Sequence, residues 1–356
     1  MDKCTLTTYD DKHEKLLIDF NKRISSANLF FSDPKNWQFS ESSKCIKQDF
    51  YILIENAKAI RAITAIKNQD YCLKGEVINF QDIQLPISES IVNFNYISQT
   101  IYFIKYISSL SSNMHALGMG GLTSSLPKIL IRNKFKSYLI PFFIFPISIT
   151  RLIELSLYNK FKLKIHRRYL FPFLIIDEIR KYVLLKFYKC ENVKFESLFK
   201  FSSIDSFLWN DLKNNFELIA VKDDNNLNEL YSNSPHDLVK YRVSFQGNYV
   251  GYLILKITKH CNNKYFLNSK TLTIVDLLCE NKYYLIFIKL IKKIALINNC
   301  DLVLVNSTYG KFNSVLSKAL FITLPSNFGF VYKTENTFNI LNSWITRADG
   351  DGPINL

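Results

Sequence analysis

Few residues of this chain have both the chemical type and the setting to act on a ligand. Asp276 lies inside the apolar run TIVDLL (273–278). A carboxylate in such a strand is either a buried, paired structural group or a site residue, because an isolated charge there is heavily penalised. Glu89, in LPISESIV (85–92), follows a strand-like segment. It is placed either to act as a general base or to sit as a carboxylate at a helix N-terminus. His115 stands in the short run MHAL (114–117), as a packing histidine or a ligand contact. Gly118, Gly120 and Gly121 follow it and allow positive φ and close backbone approach, which a tight turn alone also explains. Asn306 and Tyr309 follow the apolar run DLVLV (301–305). The tail Arg347-Ala348-Asp349-Gly350-Asp351-Gly352 is polar and turn-rich. Asp349 and Asp351 could clamp an ammonium or a sugar hydroxyl, or the tail could be a capping turn. It lacks the further oxygen ligands and closing Glu of a calcium loop.

Other chemistries find no support. No Walker loop, dinucleotide fingerprint, HExxH or Gly-x-Ser-x-Gly is present. The seven cysteines are scattered without a CxxC, so neither a disulfide framework nor a zinc site is expected, and no metal is expected elsewhere. The N-terminal MDKCTLTTYDDKHEK has no apolar core of a secretory signal. The longest apolar run, 138–150, is too short to span a bilayer and holds Pro141 and Pro146. These features point to a cytoplasmic protein. The formal charge is +14, and residues 151–200 carry 12 Lys/Arg against 5 Asp/Glu. Lys160, Lys162, Lys164, Arg167 and Arg168 are its densest part. This stretch is a solvated connector, or a surface for a phosphate-rich ligand, an acidic carrier protein, RNA or an anionic membrane.

Two halves must position these residues, and they share one rhythm. In the first, FYILIE (50–55), a turn at 56–58 and AIRAITAI (59–66) predict a hairpin. A strand through QLPISES (84–90), a helix over 97–110, the strand MHAL, a helix over 125–133 and a strand YLIPFFIF (138–145) follow. In the second, YRVSF (241–245) and YVGYLILKI (249–257) predict a hairpin, followed by strand TLTIVDLL (271–278) and helix 282–297. Strand DLVLV, a helix near 311–319 and a last strand near 328–333 complete it. Equivalent points recur at a nearly constant offset: Ala57 and Gly247 are 190 residues apart, Leu130 and Leu316 are 186. The expected division is 1–147, a helical basic linker over 148–205, and 206–356.

The strings ALGMGGLTSSLPKIL (116–130), LPISESIV, IVDLL (274–278), LPSNFGF (324–330) and TRADGDGPINL (346–356) together resemble a group of bacterial tandem proteins of the Gcn5-related N-acetyltransferase (GNAT) type. The resemblance runs from about residue 45 to the C-terminus. It implies an α/β fold of two GNAT-like domains, each a mixed twisted sheet flanked by helices. That arrangement is also seen in Fem-type aminoacyltransferases, which would give the basic linker an aminoacyl-tRNA to bind.

The implied chemistry is acyl transfer, from acetyl-coenzyme A or another acyl-coenzyme A, to the amine of a small molecule, amino sugar or peptide. In that fold two parallel strands splay, and the acyl-coenzyme A arm pairs with the freed backbone. The helix that follows aims its N-terminus at the pyrophosphate. Ser90, Asn93, Asn281 and Lys282 are then the cofactor-binding candidates, and Asp276, Glu89 and Tyr309 the catalytic ones. Asn306, Asn327, Arg347, Asp349, Asp351 and His115 are candidates for the acceptor side. The family's glycine-rich pyrophosphate loop is replaced here by Ser88–Asn93 and Cys279–Tyr283, neither containing glycine. A binding or scaffolding module that keeps the fold without the chemistry is the alternative reading. The second half is the expected catalytic one.

Overall fold

The computed structural model describes residues 4–37, 39, 43–163, 167–188, 192–231 and 238–350. In chain order the first elements are β1 (Cys4–Thr8), α1 (Glu14–Ile24), β2 (Lys47–Glu55), β3 (Ala59–Leu73) and β4 (Glu76–Ser88). They are followed by α2 (Ile97–Ile107), β5 (Met114–Leu117), α3 (Ser125–Arg132), β6 (Lys136–Leu139) and β7 (Phe142–Pro146). The segment expected to be a helical linker, 148–205, begins with two helices, α4 (Ile149–Phe161) and α5 (Phe171–Phe187), but also holds a strand that joins the second sheet. Next come β8 (Val193–Ser197), α6 (Ser203–Leu212), β9 (Leu218–Ala220), α7 (Asp224–Tyr231), β10 (Leu238–Phe245) and β11 (Asn248–Lys259). The chain continues through β12 (Lys270–Cys279), α8 (Tyr284–Ile297), β13 (Leu302–Asn306), α9 (Gly310–Lys318), β14 (Ile322–Leu324) and β15 (Gly329–Lys333). No helix among the described residues is long and apolar enough to cross a membrane.

The hairpins form where the sequence places them. Asn56 and Ala57 both take positive φ (50° and 56°) between β2 and β3, as a tight two-strand turn requires. The single strand expected over 138–145 is instead two. Proline has no N–H to give a ladder, and the chain breaks at Ile140-Pro141. Its two pieces, β6 and β7, then enter different sheets.

One sheet runs β1-β2-β3-β4-β5-β15-β6, with β9 also paired to β3; the other runs β14-β7-β13-β12-β11-β10-β8. The exchange is reciprocal: β7 leaves the first half to pair with β13, and β15 returns from the second half to lie between β5 and β6. Each sheet is mixed, with one parallel contact, β4–β5 or β12–β13. Helices flank both, so the core is divided among several clusters. The largest joins α8 (Phe287, Leu290, Ile291, Ile294) to β11–β13 and Trp344.

Both parallel contacts are short. The β4–β5 ladder holds only Gln81↔Met114 and Asp82↔His115, although β4 continues to Ser88. The β12–β13 ladder holds Thr271↔Leu302 to Thr273↔Leu304, although β12 continues to Cys279. Beyond these pairs the strands part. Each long strand also bulges just past the parting: β4 near Leu85 (φ 43°) and β12 between Ile274 and Asp276. A bulge adds local twist and turns the strand away from its neighbour.

Candidate active site

The two openings differ. Beyond the parting, β12 is buried at every residue, whereas β4 exposes Leu85 and half-buries Pro86. The second opening is packed with aromatic rings. Trp344 is 1% exposed and lies against Phe216, Tyr284, Tyr309 and Phe312, with ring centroids 5.3–6.3 Å away. Its Nε1 donates to Asp276 Oδ1 at 3.3 Å. Asp276 also accepts from Lys222 Nζ and from the Tyr231 hydroxyl (3.2 Å). The carboxylate is therefore buried with a counter-ion and neutral donors, as a charge in a dry interior requires.

Glu89 is buried at the end of β4 and accepts from Arg23 Nε (3.0 Å) and Arg61 Nη1 (2.7 Å). Arg61 also binds Glu55 and stacks 4.2 Å over the Tyr96 ring. Ser90 joins a hydroxyl cluster with Ser88 and Thr100 at the start of α2, with oxygens 2.5–3.2 Å apart. Asn93 caps its own turn by accepting from Asn95 N. In the other sheet, Tyr309 donates to Asn281 Oδ1 at 3.4 Å, and Lys282 forms an exposed pair with Glu280.

The C-terminal segment links both openings. Past Trp344 it forms a Thr346–Asp349 capping box, in which Asp349 Oδ2 accepts from Thr346 N at 2.7 Å. Burial raises the Asp349 carboxyl above the usual range. The following carbonyls dock on the first sheet. Lys67 Nζ donates to Asp349 O (3.1 Å) and Gly350 O (2.7 Å), and Gln84 Nε2 donates to Gly350 O and Asp82. His115 Nδ1 lies 3.3 Å from Asp82 Oδ1 without hydrogen-bond alignment, and its ring packs on Tyr71, Phe80 and Phe330. Burial holds the imidazole well below its usual pKa, so it is neutral.

Where strands cross between sheets, a cavity of about 750 Å³ opens. Its wall includes Gly118, Phe142, Asn306, Asn327, Phe328 and Arg347. Gly118 has φ +79°, and a Cβ there would meet the Phe328 ring at 2.8 Å, so glycine is required for this approach. Asn306 is buried; its Nδ2 donates to Pro141 O (3.2 Å) and its Oδ1 accepts from Arg347 Nε (2.7 Å).

The structure thus brings Asn306, Asn327 and Arg347 together at one cavity, and Tyr309 with Asn281 at another place. Glu89, Ser90 and Asn93 stand near α2. Asp276, Asp349 and His115 are interior, and Asp351 lies outside the described residues. Sequence reasoning missed Phe142 and Phe328 on the cavity wall, and Lys67 and Lys222 in the interior. The two lysines had a signal, since each follows an apolar run (Ala65-Ile66 and Ile219-Ala220-Val221). Among the described residues no group of three or more His, Cys, Asp or Glu could hold a metal ion.

No protein-family model and no curated protein matches the chain in sequence. Solved structures match its fold. A Saccharomyces cerevisiae N-myristoyltransferase superposes with a TM-score of 0.57 at 12% identity, covering 99% of this chain and 87% of that one. A GCN5-related N-acetyltransferase from Anabaena variabilis gives 0.54 at 11% identity, covering 92% and 72%. One from Kribbella flavida gives 0.53 at 8%, covering 92% and 71%. The chain has the fold of these N-acyltransferases: two mixed sheets flanked by helices.

Proposed function

We propose that this protein is an N-acyltransferase that takes its acyl group from an acyl-coenzyme A held in the first opening, between β4 and β5. The acceptor amine occupies the cavity at the crossing of the sheets. The observation that carries this reading is the contrast between the openings: β4 reaches the surface at Leu85 beyond the parting, while its counterpart β12 is sealed by Trp344 and its neighbours. The fold expectation survives, but the half expected to be catalytic is exchanged for the other.

The edge of β4 beyond Asp82, unpaired among the described residues, suits an extended amide arm, which pairs with backbone as an added strand would. Ser88, Ser90 and Asn93 are the residues at the loop end of that edge. When bound, the thioester supplies an activated acyl carbonyl. Gly118 follows β5 at the cavity wall, which also holds Asn306 and Arg347, the residues that fix the acceptor in place. The similar yeast structure contains myristoyl-coenzyme A, which favours an acyl-coenzyme A donor here as well. Acetyl-coenzyme A and longer acyl donors both fit this reading.

Asp276, Glu89 and Asp349 do not line the cavity, and one oxygen of each is engaged, by Lys222, by the Arg23–Arg61 pair and by Thr346 respectively. This arrangement favours one second reading, a binding module without turnover. The test is thiol release from acetyl- and myristoyl-coenzyme A across a panel of amines, alongside calorimetric binding. Thiol release that requires an amine supports transfer. Binding without release supports the module, and no binding at millimolar ligand removes both.

A further inference from the structure

Arg347 is the one charged side chain on the described cavity wall. Its Nε is committed to Asn306 Oδ1 at 2.7 Å, and Asn306 is itself fixed by Pro141 O. The capping box at Thr346–Asp349 sets the backbone from which it projects. Its guanidinium lies 5.4 Å from the Phe328 ring and 5.9 Å from Phe142. No described carboxylate lies within ion-pair distance of it, and its two terminal nitrogens make no hydrogen bond to described protein groups.

A half-buried guanidinium, held rigid and with no counter-ion among the described residues, is a poor structural device and a good anion receptor. Its free edge offers two parallel N–H donors, matched to a carboxylate. We infer that Arg347 binds the carboxylate of the acyl acceptor, so that the acceptor class is the α-amino acid or the short peptide with a free C-terminus. This rests on the acyltransferase reading above. An anion on Arg347 could instead be a phosphate of the donor, and the test separates the two.

Transfer from acetyl-coenzyme A is measured with leucine and with leucinamide, which share an amine and differ in the carboxylate. The expected result is a preference for leucine of about 100-fold in kcat/KM. Arg347→Met abolishes the preference, leaves the KM for acetyl-coenzyme A unchanged and folds normally by thermal unfolding; Arg347→Lys retains part of it. Equal rates with the amide overturn the inference, as does an Arg347→Met defect confined to the donor KM. Should either variant unfold, Asn306→Ser tests the same preference by loosening the guanidinium. If no amine is acylated, calorimetry with N-acetyl-leucine against its amide still decides the anion site. Binding of the acid alone, lost in Arg347→Met, keeps the site while the transferase reading fails.

A second inference stands on α5 alone. Two of its charged residues face the protein, while Glu178 and Lys186 are exposed: Asp177 is buried and accepts from Ser148 Oγ (2.7 Å), Ile149 N (2.6 Å) and Thr150 N (3.1 Å), capping α4, while Arg180 donates to Ile147 O (3.0 Å). Most of its apolar residues face solvent, Leu184 packing instead against the largest core cluster. Phe171, Ile175, Ile179, Tyr182 and Phe187 are each at least half exposed, and Phe173, Leu174, Ile176, Val183 and Leu185 are exposed beside them. So large an apolar ridge marks a contact surface.

The surrounding segment is strongly basic, with exposed Lys160, Lys162 and Lys186. A two-fold dimer through this ridge would set one basic segment against another. A surface both apolar and anionic matches it, and a convex ridge needs no complementary groove to enter lipid. At 17 residues the helix is about 26 Å long, too short to span a bilayer but suited to lie in its surface. We propose that α5 seats the protein on an anionic membrane.

Co-sedimentation with phosphatidylcholine vesicles, with and without about one third phosphatidylglycerol, tests this. Expected are binding to the anionic vesicles, weakening with salt, and loss in Ile175→Glu/Ile179→Glu with folding intact. Absence of vesicle binding at low salt overturns it. So does a dimer in solution, or a tRNA complex, that the same variant dissolves while vesicle binding persists.

Discussion

Lys222 and Asp276 form an ion pair whose side chains are 3% and 0% exposed, one from the loop after β9 and the other from the bulge of β12. The pair ties the segment that follows a strand of the first sheet to the centre of the second. Removing one member leaves the other charged and dry. Lys222→Ala is expected to destabilise by about 3–5 kcal/mol in urea unfolding. Replacing both with apolar residues, as Lys222→Met/Asp276→Leu, is expected to recover only part of that loss, because the Tyr231 hydroxyl and Trp344 Nε1 lose their acceptor. Full stability in Asp276→Asn with abolished transfer would instead make Asp276 a reacting group.

Lys292 on α8 gives a pH-dependent test. Its Nζ lies 3.7 Å over the Phe145 ring and donates to Ala319 O; Arg180 and Tyr188 also face it. Burial, aided by the Arg180 charge, lowers its pKa from 10.5 to about 8. Between those values the unfolded chain holds the extra proton, so this group's contribution to stability rises with pH across the window and is lowest below pH 8. The stability of Lys292→Met relative to wild type should therefore fall by about 2 kcal/mol from pH 7.5 to pH 10.5, after allowance for solvent screening. A difference that does not change with pH contradicts it.

Gly118 and Phe328 offer a geometric test. Gly118→Ala adds a methyl 2.8 Å from the ring that flanks Arg347, at φ +79°. A loss of about 1–3 kcal/mol in stability is expected. Displacement of Phe328 should raise the KM for the acceptor more than that for the donor. Steady-state kinetics with each substrate varied in turn would show the reverse if the donor filled this cavity.

Trp344 and Leu85 separate the openings. Trp344→Ala is expected to cost about 3–5 kcal/mol, because it empties the packed second opening, with donor affinity unchanged in the folded fraction. Leu85→Glu, at the exposed edge of β4, is expected to leave stability within about 1 kcal/mol and to weaken donor binding at least about tenfold. Calorimetry on both variants checks the split.

Local structure was legible in the sequence. MHAL (114–117) is a strand with the expected bounds, and the turns at Asn56-Ala57 and Gln246-Gly247 carry positive φ. The exchange of strands was not. Lys136–Leu139 and Gly329–Lys333 pair across almost 200 residues, and periodicity reports a strand's faces without naming its neighbour. Pro141 hinted at the break in YLIPFFIF but not that its halves part company. At the site, the tail was legible as polar and turn-forming. That Arg347 would meet Asn306, or Lys222 meet Asp276, depends on tertiary approach that no local pattern encodes.

The central claim is that the donor lies between β4 and β5. Amide hydrogen exchange with and without a non-hydrolysable acyl-coenzyme A analogue tests it most directly. Protection confined to residues 83–93 and 114–118 is the expected result. Protection of 274–283 and 302–306 instead, or none at a saturating concentration, would contradict it.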